Sequence, residues 1–262
     1  MDELKKGLFL VLALALLAGR AGAAEKRIGV LMFSEEGRYK EAVRGMRDRL
    51  AEAGFKEPRV VFIIDHAAAS KAKAAELVRK YSAEKLDLIF TLGTSITVPL
   101  AREIRDTPLV FSIVYDPVEA GIAKTWKSSG NNTTGTSTFL PMSLVMKRLL
   151  EFAPVKRLAV LYTPGEKNSE SQLKDLQNEQ AASFVKVVPV PLAVKEDIDD
   201  LLPEVVRTSD ALYITGSNLV NSRLEFIVDM ATRARVATVT HLDDLVERGV
   251  LLGVCPDAYK LG

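Results

Sequence analysis

Two hydroxyl residues next to a glycine form the first group of side chains that could bind a ligand. In the segment "LGTSITVPL", Gly93, Thr94 and Ser95 follow a strongly apolar run that ends at Leu92. Glycine permits a tight turn there, and the hydroxyls lie beside the free amides of a predicted helix start. Because those amides and the helix dipole both favour negative charge, the loop predicts a site for a carboxylate or another small anion. The alternative is that Thr94 or Ser95 only caps its own helix, as such residues do on most helices.

A carboxylate after the next apolar run provides a second candidate. In "SIVYDPVEAG", Asp116 follows the run and precedes Pro117. Such a carboxylate can close an Asx-type turn onto nearby amides, or it can present its charge to an ammonium group in a cleft. The pattern alone leaves these two interpretations about even. An anion site at Thr94 and Ser95 favours the interpretation that Asp116 faces an ammonium group, since an amino acid zwitterion carries one group of each sign.

The remaining loops supply fewer chemical groups. In "TGSNLVNS", Asn218 could cap a helix or donate to a ligand, and in "MFSEEG", Ser34 is a candidate N-cap. The segment "THLDD" brings His241 and Asp243 together, but no nucleophile elbow, phosphate loop, dinucleotide fingerprint or zinc-protease motif accompanies them. We therefore expect no catalytic residues, no cofactor and no metal site, and we expect His241 to cap or to pack.

Short β-branched runs alternate with segments of helical period along the chain after residue 27. The runs that predict strands lie at residues 28–33, 60–64, 86–92, 109–114, 157–163, 186–192, 211–216, 236–240 and 250–254. Most of them are continuously apolar, as expected of parallel strands that are covered on both faces. The repetition of strand and helix predicts an α/β fold with parallel sheets.

A polar segment, "KSSGNNTTGTSTFLP" at residues 127–141, divides the chain after residue 24 into halves of similar length. We therefore predict two Rossmann-like α/β lobes, residues 25–136 and 137–250, joined by a hinge at this segment. Residues 251–262 are expected to cross back to the first lobe. A single large sheet is the alternative, but it would require an unusually long structureless loop. In open parallel sheets ligands bind beyond the carboxyl ends of the strands, where the candidate residues lie.

The charge balance excludes several classes of partner. The 262 residues include 35 Lys and Arg against 34 Asp and Glu, which gives a formal net charge of +1. Because there is no long basic or acidic block, neither a nucleic-acid groove nor a polybasic membrane patch is predicted. The single cysteine, Cys255, excludes an intramolecular disulfide, and its place at a predicted strand end favours packing as a small hydrophobe.

The first 24 residues have the layout of a secretory signal peptide. Lys5 and Lys6 precede an apolar run at residues 8–18, and small residues follow at 21–23. The run is shorter than the roughly 20 residues that span a membrane. We predict cleavage near Ala23 and a soluble exported, periplasmic protein. An uncleaved membrane anchor is the less favoured alternative.

Four segments together resemble a known family: "PLVFSIVYDPVEAGIAK", "KRLAVLYTPGEKNSESQLKDL", "DALYITGSNLVNS" and "RGVLLGVCPDAYKLG". Their order and spacing are similar to those of ABC transporter substrate-binding proteins of the tryptophan/tyrosine-binding type, over essentially the whole chain after the signal peptide. The resemblance implies a type I-like periplasmic binding protein that closes around a small solute and delivers it to an ABC permease in the inner membrane. It implies an aromatic or other hydrophobic L-amino acid as the ligand, and we expect a monomer.

The resemblance also implies ligand-binding roles for particular residues. The positions that match its motifs, from the helix-start loop to a late acidic loop, are Thr94, Ser95, Asp116, Ser137, Asn218 and Asp243. Strand-end placement adds Ser34 as a candidate ligand-binding hydroxyl. It also adds three aromatic side chains that could cover an apolar ligand group, namely Phe33, Tyr115 and Tyr162. Members of the family usually continue beyond the "YKLG" segment with a helix that packs on the first lobe. We therefore expect either that the chain is truncated at Gly262 or that the first lobe lacks a covering helix.

Other functions remain open from the sequence. A sensory ligand-binding domain would use the same cleft with a signalling partner in place of a permease, and an exported α/β enzyme would use His241 and Asp243. A sugar ligand is disfavoured because sugar sites rely on stacked aromatic side chains, and aromatic residues make up only 6% of the chain.

Overall fold

The computed structural model describes residues 25–262. The predicted signal peptide and its cleavage position lie outside the described residues. None of the helices in residues 25–262 combines the length and the apolar character that crossing a membrane requires.

The described chain consists of ten strands and eleven helices. The elements of the first lobe are β1 (Lys26–Met32), α1 (Gly37–Glu52), β2 (Val60–His66), α2 (Lys71–Ala83), β3 (Leu88–Leu92), α3 (Thr94–Glu103), β4 (Leu109–Val114) and β5 (Thr133–Ser137). Those that follow are α4 (Met142–Phe152), β6 (Arg157–Tyr162), α5 (Lys167–Asn178), α6 (Gln180–Ser183), β7 (Lys186–Pro191), α7 (Lys195–Thr208), β8 (Ala211–Ile214), α8 (Asn218–Ser222), α9 (Leu224–Arg233), β9 (Ala237–Thr240), α10 (Asp243–Glu247), β10 (Leu252–Gly253) and α11 (Ala258–Leu261).

Two five-stranded sheets form the two lobes, and all paired strands run parallel. The strand order is β2-β1-β3-β4-β5 in the first sheet and β7-β6-β8-β9-β10 in the second. Each strand therefore has a counterpart at the same place in the other sheet, so that β1 corresponds to β6, β3 to β8 and β4 to β9. The predicted fold class, two α/β lobes with parallel sheets, is confirmed.

Each sheet is covered on both faces. Adjacent residues of β3 point to opposite faces, so Ile89 packs with Tyr81 and Leu100 on one side while Phe90 packs with Met46 on the other. The second sheet has the same two-sided core. Burial on both faces explains why most strands are continuously apolar in sequence.

The helices begin and end where local chemistry dictates. Tyr39 and Met46 lie at helical spacing on the buried face of α1. Gly54 follows this helix at φ +84°, a left-handed conformation that glycine adopts readily, and so ends it. Ser70 caps α2, as predicted, because its Oγ accepts the backbone N–H of Lys73 at 3.3 Å.

Nine of the ten strands coincide with the predicted apolar runs, and the tenth, β5, lies inside the segment that the sequence predicts to be a connector. This strand pairs with β4 at the edge of the first sheet, with Thr133 opposite Leu109. Its three central residues are exposed, so it lacks the apolar pattern that identifies the other strands. Gly135 is required there, because a Cβ would lie 2.1 Å from the carbonyl oxygen of Phe111.

The chain crosses between the lobes at residues 138–141 and again at residues 254–257. The final helix, α11, then packs on the first lobe. The carbonyl oxygen of Leu261 accepts hydrogen bonds from Ser112 Oγ at 3.2 Å and from Thr136 Oγ1 at 2.8 Å. Cys255, in the second crossing, is exposed, so the prediction that it packs as a small hydrophobe is wrong.

Gly45 should be sensitive to enlargement because α11 packs directly on it. A Cβ at this position would lie 2.0 Å from the carbonyl oxygen of Tyr259. We expect Gly45→Ala to displace α11 and to lower the free energy of unfolding by about 1–3 kcal/mol, the usual cost of overpacking, despite the better helix propensity of alanine. Urea unfolding of this variant beside Lys40→Ala, an exposed position on the same helix, measures the effect. Equal stabilities of the two variants would contradict this account.

Candidate functional site

The loops that follow corresponding strands of the two sheets meet between the lobes. Ser95 lies at the start of α3, after β3, and Asn218 lies at the start of α8, after the corresponding strand β8. Nδ2 of Asn218 donates a hydrogen bond to Ser95 Oγ at 3.2 Å. The carboxyl ends of the two sheets therefore face one another across a cleft, which is where parallel α/β sheets bind ligands.

A small cavity of about 20 Å³, here named the inner cavity, lies in the cleft beside this contact. Both lobes contribute to its lining: Arg38, Tyr39, Thr94, Ser95, Ile113, Tyr115, Thr138, Asn168, Gln172, Gly216, Asn218, His241 and Leu242. Three buried polar atoms of this lining have no hydrogen-bond partner within residues 25–262, namely Thr94 Oγ1, Asn168 Oδ1 and His241 Nε2. Since buried polar atoms are normally paired, these three mark a place suited to polar groups of a ligand.

The N-terminus of α3 lies at the inner cavity. Gly93 occupies its N-cap position and, lacking a side chain, supplies no capping oxygen. Neither Thr94 nor Ser95 caps the helix, because Thr94 Oγ1 is unpaired within the described chain and Ser95 Oγ is bonded to Asn218. Thr94 is only 6% exposed. The first amides of a helix have no partner within it and attract anions together with the helix dipole, so this position is suited to a carboxylate.

The backbone beside the inner cavity adopts uncommon conformations. Gly93 has φ +90°, and a Cβ there would lie 2.3 Å from Tyr39 Oη. Ile113 has φ +55°, which is rare for a β-branched residue, and the pairing of β4 with β5 shifts register between Phe111 and Val114. Strain of this kind concentrates at ligand sites, where the surrounding structure enforces it.

Two side chains of α5 are oriented by one glycine of the second lobe. Asn168 Nδ2 donates to the carbonyl oxygen of Gly216 at 2.6 Å, and Gln172 Oε1 accepts the Gly216 N–H at 3.0 Å. Because Nδ2 of Asn168 is engaged in this way, its Oδ1 is the atom left for the inner cavity. The second lobe therefore offers an acceptor opposite the helix N-terminus of the first.

His241 lies fully buried at the carboxyl end of β9. Its Nδ1 is 2.7 Å from Tyr213 Oη, and its Nε2 faces the inner cavity without a partner in the described chain. Burial, and next the positive charge of Arg38, lower the pKa of His241 to about 3. The ring is therefore neutral at neutral pH.

A buried ion pair joins the lobes on one side of the cleft. Nη1 of Arg38, in α1, donates to both carboxylate oxygens of Asp244, in α10, at 2.9 and 3.0 Å. The two side chains are 3% and 6% exposed, and Glu36 also pairs with Arg38. Burial alone would lower the pKa of Arg38, but Glu36 and Asp244 raise it above its ordinary value, so the guanidinium stays charged.

Further contacts hold the lobes together on the hinge side. Tyr115 Oη donates to Asp175 Oδ2 in α5 at 2.8 Å, and the edge of the Tyr115 ring packs against His241 with 5.3 Å between ring centroids. Lys174 and Glu119 form an exposed pair at 3.1 Å. The two lobes are thus closed on one another in this structure.

A larger groove, here named the outer groove, measures about 580 Å³. It shares Thr94, Ser95 and Asn218 with the inner cavity, so the contact of Ser95 with Asn218 lies between the two spaces. The rest of its lining is mostly apolar with a few charged residues: Phe33, Ala69, Lys71, Ala74, Ala75, Val98, Pro99, Gly165, Glu166, Lys167, Lys195, Leu219 and Ser222. The cleft therefore has a small polar part and a large apolar part on either side of the α3 N-terminus.

Five of the predicted site residues lie at these two spaces. Thr94, Ser95, Tyr115 and Asn218 line the inner cavity, and Phe33 lines the outer groove. Asn218 is not the cap of its own helix; Ser217 occupies that position.

Asp116 lies outside both linings and has partners within the chain. Its Oδ1 accepts the backbone N–H groups of Val118 at 2.8 Å and Glu119 at 2.9 Å. This is the Asx-type turn that the sequence left open as an alternative. The predicted role of Asp116 as the partner of an ammonium group therefore has no support in this geometry.

Four other predicted residues also lie outside both linings. Ser137 Oγ donates to the carbonyl oxygen of Tyr115 at 2.5 Å, which fixes the start of the first crossing. Asp243 Oδ1 accepts the N–H of Asp244, and its Oδ2 accepts the N–H of Ala258 at 3.2 Å, so it supports the second crossing.

Ser34 and Tyr162 are the other two. Glu36, and not Ser34, is the N-cap residue of α1, so the prediction of a Ser34 cap is wrong. Tyr162 is half-buried against a core cluster of the second lobe.

Several residues of the cleft were not predicted. Arg38 could have been noticed, because it lies four positions before Ala42 on the buried face of α1, where a charge needs a partner. Asn168 and Gln172 are four residues apart on the helix that follows β6, a strand-end signal like that of Thr94.

Breaking the buried ion pair should open the lobes. Arg38→Met leaves Asp244 charged and buried only in the closed state, and an unpaired buried charge costs about 3–5 kcal/mol. We expect a larger radius of gyration by small-angle X-ray scattering. Lys174→Ala is the matched control, since it removes an exposed interlobe pair that contributes at most about 1 kcal/mol. An unchanged radius for Arg38→Met would contradict the role of this pair.

The stability of the protein should depend on His241 in mildly acidic solution. The pKa of His241 is about 3 in the folded protein and 6.5 ordinarily. At pH values between these two, the unfolded chain therefore binds a proton at this residue and the folded protein does not. Stability therefore falls as pH falls below about 6.5, by up to about 1.4 kcal/mol per pH unit from this group. We expect wild type to lose about 2 kcal/mol more than His241→Gln between pH 7 and pH 5 in urea unfolding. Equal losses for wild type and His241→Gln would refute the prediction.

Comparisons with known proteins agree with this architecture. Residues 27–262 match the family described as ABC transporter substrate binding protein. The chain is 25% identical over 240 residues to the tyrosine-binding protein of Clostridioides difficile (strain R20291), which covers 91% of this chain and 70% of that protein.

Two solved structures are also similar. An ABC domain in complex with L-Trp from Streptococcus pneumonia is 24% identical, with a TM-score of 0.86 over 91% of this chain and 81% of that one. A ligand-free, open substrate-binding protein with adhesive properties from Clostridium difficile is 27% identical, with a TM-score of 0.68 over 90% and 81%. The predicted resemblance is confirmed: the chain belongs to the family of ABC transporter substrate-binding proteins.

Proposed function

We propose that this protein is the extracytoplasmic solute-binding component of an ABC importer, and that it binds an L-amino acid with an aromatic or other hydrophobic side chain. One observation carries the proposal. The open N-terminus of α3, with the buried and unpaired Thr94 Oγ1, lies between a polar cavity and an apolar groove at the closed interface of the two lobes. A ligand with an anionic end and an apolar end fits this arrangement.

The anionic end is the ligand carboxylate. The first amides of α3 and the hydroxyls of Thr94 and Ser95 would donate to it, and the helix dipole would stabilise its charge. Hydrogen bonds to charged groups are stronger than neutral ones, so this contact would fix the position of the ligand.

The apolar end lies in the outer groove. The inner cavity of about 20 Å³ has room for about one water molecule, whereas the outer groove of about 580 Å³ is within the range of pockets for small molecules. Phe33, Val98 and Leu219 provide apolar walls from both lobes. Phe33 offers an aromatic face or edge to a ligand ring.

The relatives support an aromatic amino acid. One similar protein is a tyrosine-binding protein, and one similar structure contains L-Trp. The two crossings at residues 138–141 and 254–257 would act as the hinge that opens the cleft, and a membrane permease would receive the ligand. A catalytic pair of His241 and Asp243 is not supported, since both oxygens of Asp243 accept backbone N–H groups.

Calorimetric titration with L-tryptophan, L-tyrosine, L-phenylalanine and L-leucine tests the proposal. We expect the aromatic amino acids to bind. We expect Thr94→Val to lower their affinity about 10- to 100-fold, because this substitution removes a hydrogen bond to a charged group. Thr134→Val, on the exposed edge strand, makes the same chemical change outside the cleft and should bind as wild type does. Wild-type protein that binds none of the four would refute the proposal, and equal affinities of the two variants would refute the position of the carboxylate.

A further inference from the structure

Only one acidic residue lines either space of the cleft within the described chain. The inner cavity has no carboxylate in its lining, and the outer groove has Glu166. Glu166 lies after β6, at the N-cap position of α5 in the second lobe. It therefore faces the ligand site from the lobe opposite α3.

Glu166 lies next to the anion-binding loop. Its Oε2 accepts the backbone N–H of Asn218 at 2.9 Å, and the side chain of Asn218 donates to Ser95 Oγ. A single residue thus separates this carboxylate from the N-terminus of α3. The spacing suits a molecule whose negative and positive groups are close together.

Glu166 has no direct ion-pair partner within the described residues. No lysine or arginine nitrogen of residues 25–262 forms an ion pair with it within 4 Å. Burial raises the pKa of its carboxyl, and the hydrogen bonds of Asn218 and the more distant positive charge of Lys71, which also lines the outer groove, offset this only in part. A cation brought by a ligand would supply a direct partner.

The other carboxylates at the lobe interface already have partners. Asp116 closes a turn, Asp243 accepts two backbone N–H groups, and Asp175 accepts the hydroxyl of Tyr115. Asp244 is paired with Arg38. None of these four lines either space of the cleft, whereas Glu166 lines the outer groove.

From this geometry, and resting on the function proposed above, we infer that Glu166 binds the α-ammonium group of the ligand and restricts the site to amino acids. The ligand carboxylate then lies on α3 of the first lobe and the ammonium group on the second lobe, so a bound amino acid bridges the cleft. A carboxylic acid without the ammonium group leaves Glu166 unpaired and is rejected.

A pair of ligands that differ only in the ammonium group tests the inference. Calorimetry compares L-tryptophan with indole-3-propionate, and L-tyrosine with 3-(4-hydroxyphenyl)propionate, on wild type and on Glu166→Gln. Glutamine keeps an oxygen for the N–H of Asn218 but loses the charge. We expect wild type to bind the amino acid more tightly than the carboxylic acid. We expect Glu166→Gln to reduce this ratio of affinities about 10- to 100-fold, mainly by lowering the affinity for the amino acid.

The control is Asp116→Asn, which makes the same chemical change at a carboxylate outside both linings and keeps an oxygen for the turn. It should show the wild-type preference. An unchanged preference for the amino acid in Glu166→Gln would overturn the inference. Urea unfolding shows whether this variant is as stable as wild type. If it is, and if its affinities for the amino acid and for the carboxylic acid fall equally, the inference is also overturned. A preference that disappears in Asn168→Leu but persists in Glu166→Gln would also overturn it, by moving the ammonium group to the inner cavity. Wild type that binds neither member of either pair would overturn the inference, and failure to bind L-phenylalanine and L-leucine as well would refute the proposed function.

Discussion

The binding cleft depends on one constraint, that every strand of each sheet runs in the same direction. All the carboxyl ends of a parallel sheet emerge at one edge, so the loops after β1, β3 and β4 collect on one side of the first lobe. The second lobe has the same strand order and collects the corresponding loops. Because the two edges face each other, Ser95 and Asn218, which are 123 positions apart, form a hydrogen bond.

The contacts that close the lobes differ in how much they contribute to the stability of the closed arrangement. Lys174 and Glu119 are exposed, and such pairs contribute about 0–1 kcal/mol. Arg38 and Asp244 are buried, and removing each of these charges from water costs several kcal/mol before their attraction offsets it. The pair is therefore favourable only when its geometry is complete, which makes the closed arrangement specific without making it very stable. A ligand that contacts both lobes can shift such an equilibrium.

Local signals made the strands and the helix-start loop predictable, and the absence of such signals explains the failures. Gly93 and Thr94 are an example, because a glycine followed by a hydroxyl residue after an apolar run is a local signal of a tight turn into a helix. Asp116 could not be assigned, because a turn and an ammonium partner call for the same residue at the same strand end, and only the positions of the nearby amides separate them. Arg38 and Asp244 are 206 positions apart, so their pairing depends on how the two sheets face each other. No local pattern in a single sequence records that arrangement.

The two lobes share a topology but present different chemistry to the cleft. Helix α3 has ten residues and no side-chain cap, whereas the corresponding helix α8 has five residues and is capped by Ser217. The amide of Asn218 at the start of α8 is already bonded to Glu166. The first of these two corresponding loops therefore offers an open helix N-terminus, whereas an amide of the second is already bonded to the carboxylate of Glu166 from the loop after β6. Two lobes of identical chemistry would accept a zwitterion in either direction, and this difference favours one direction, with the negative end on the first lobe.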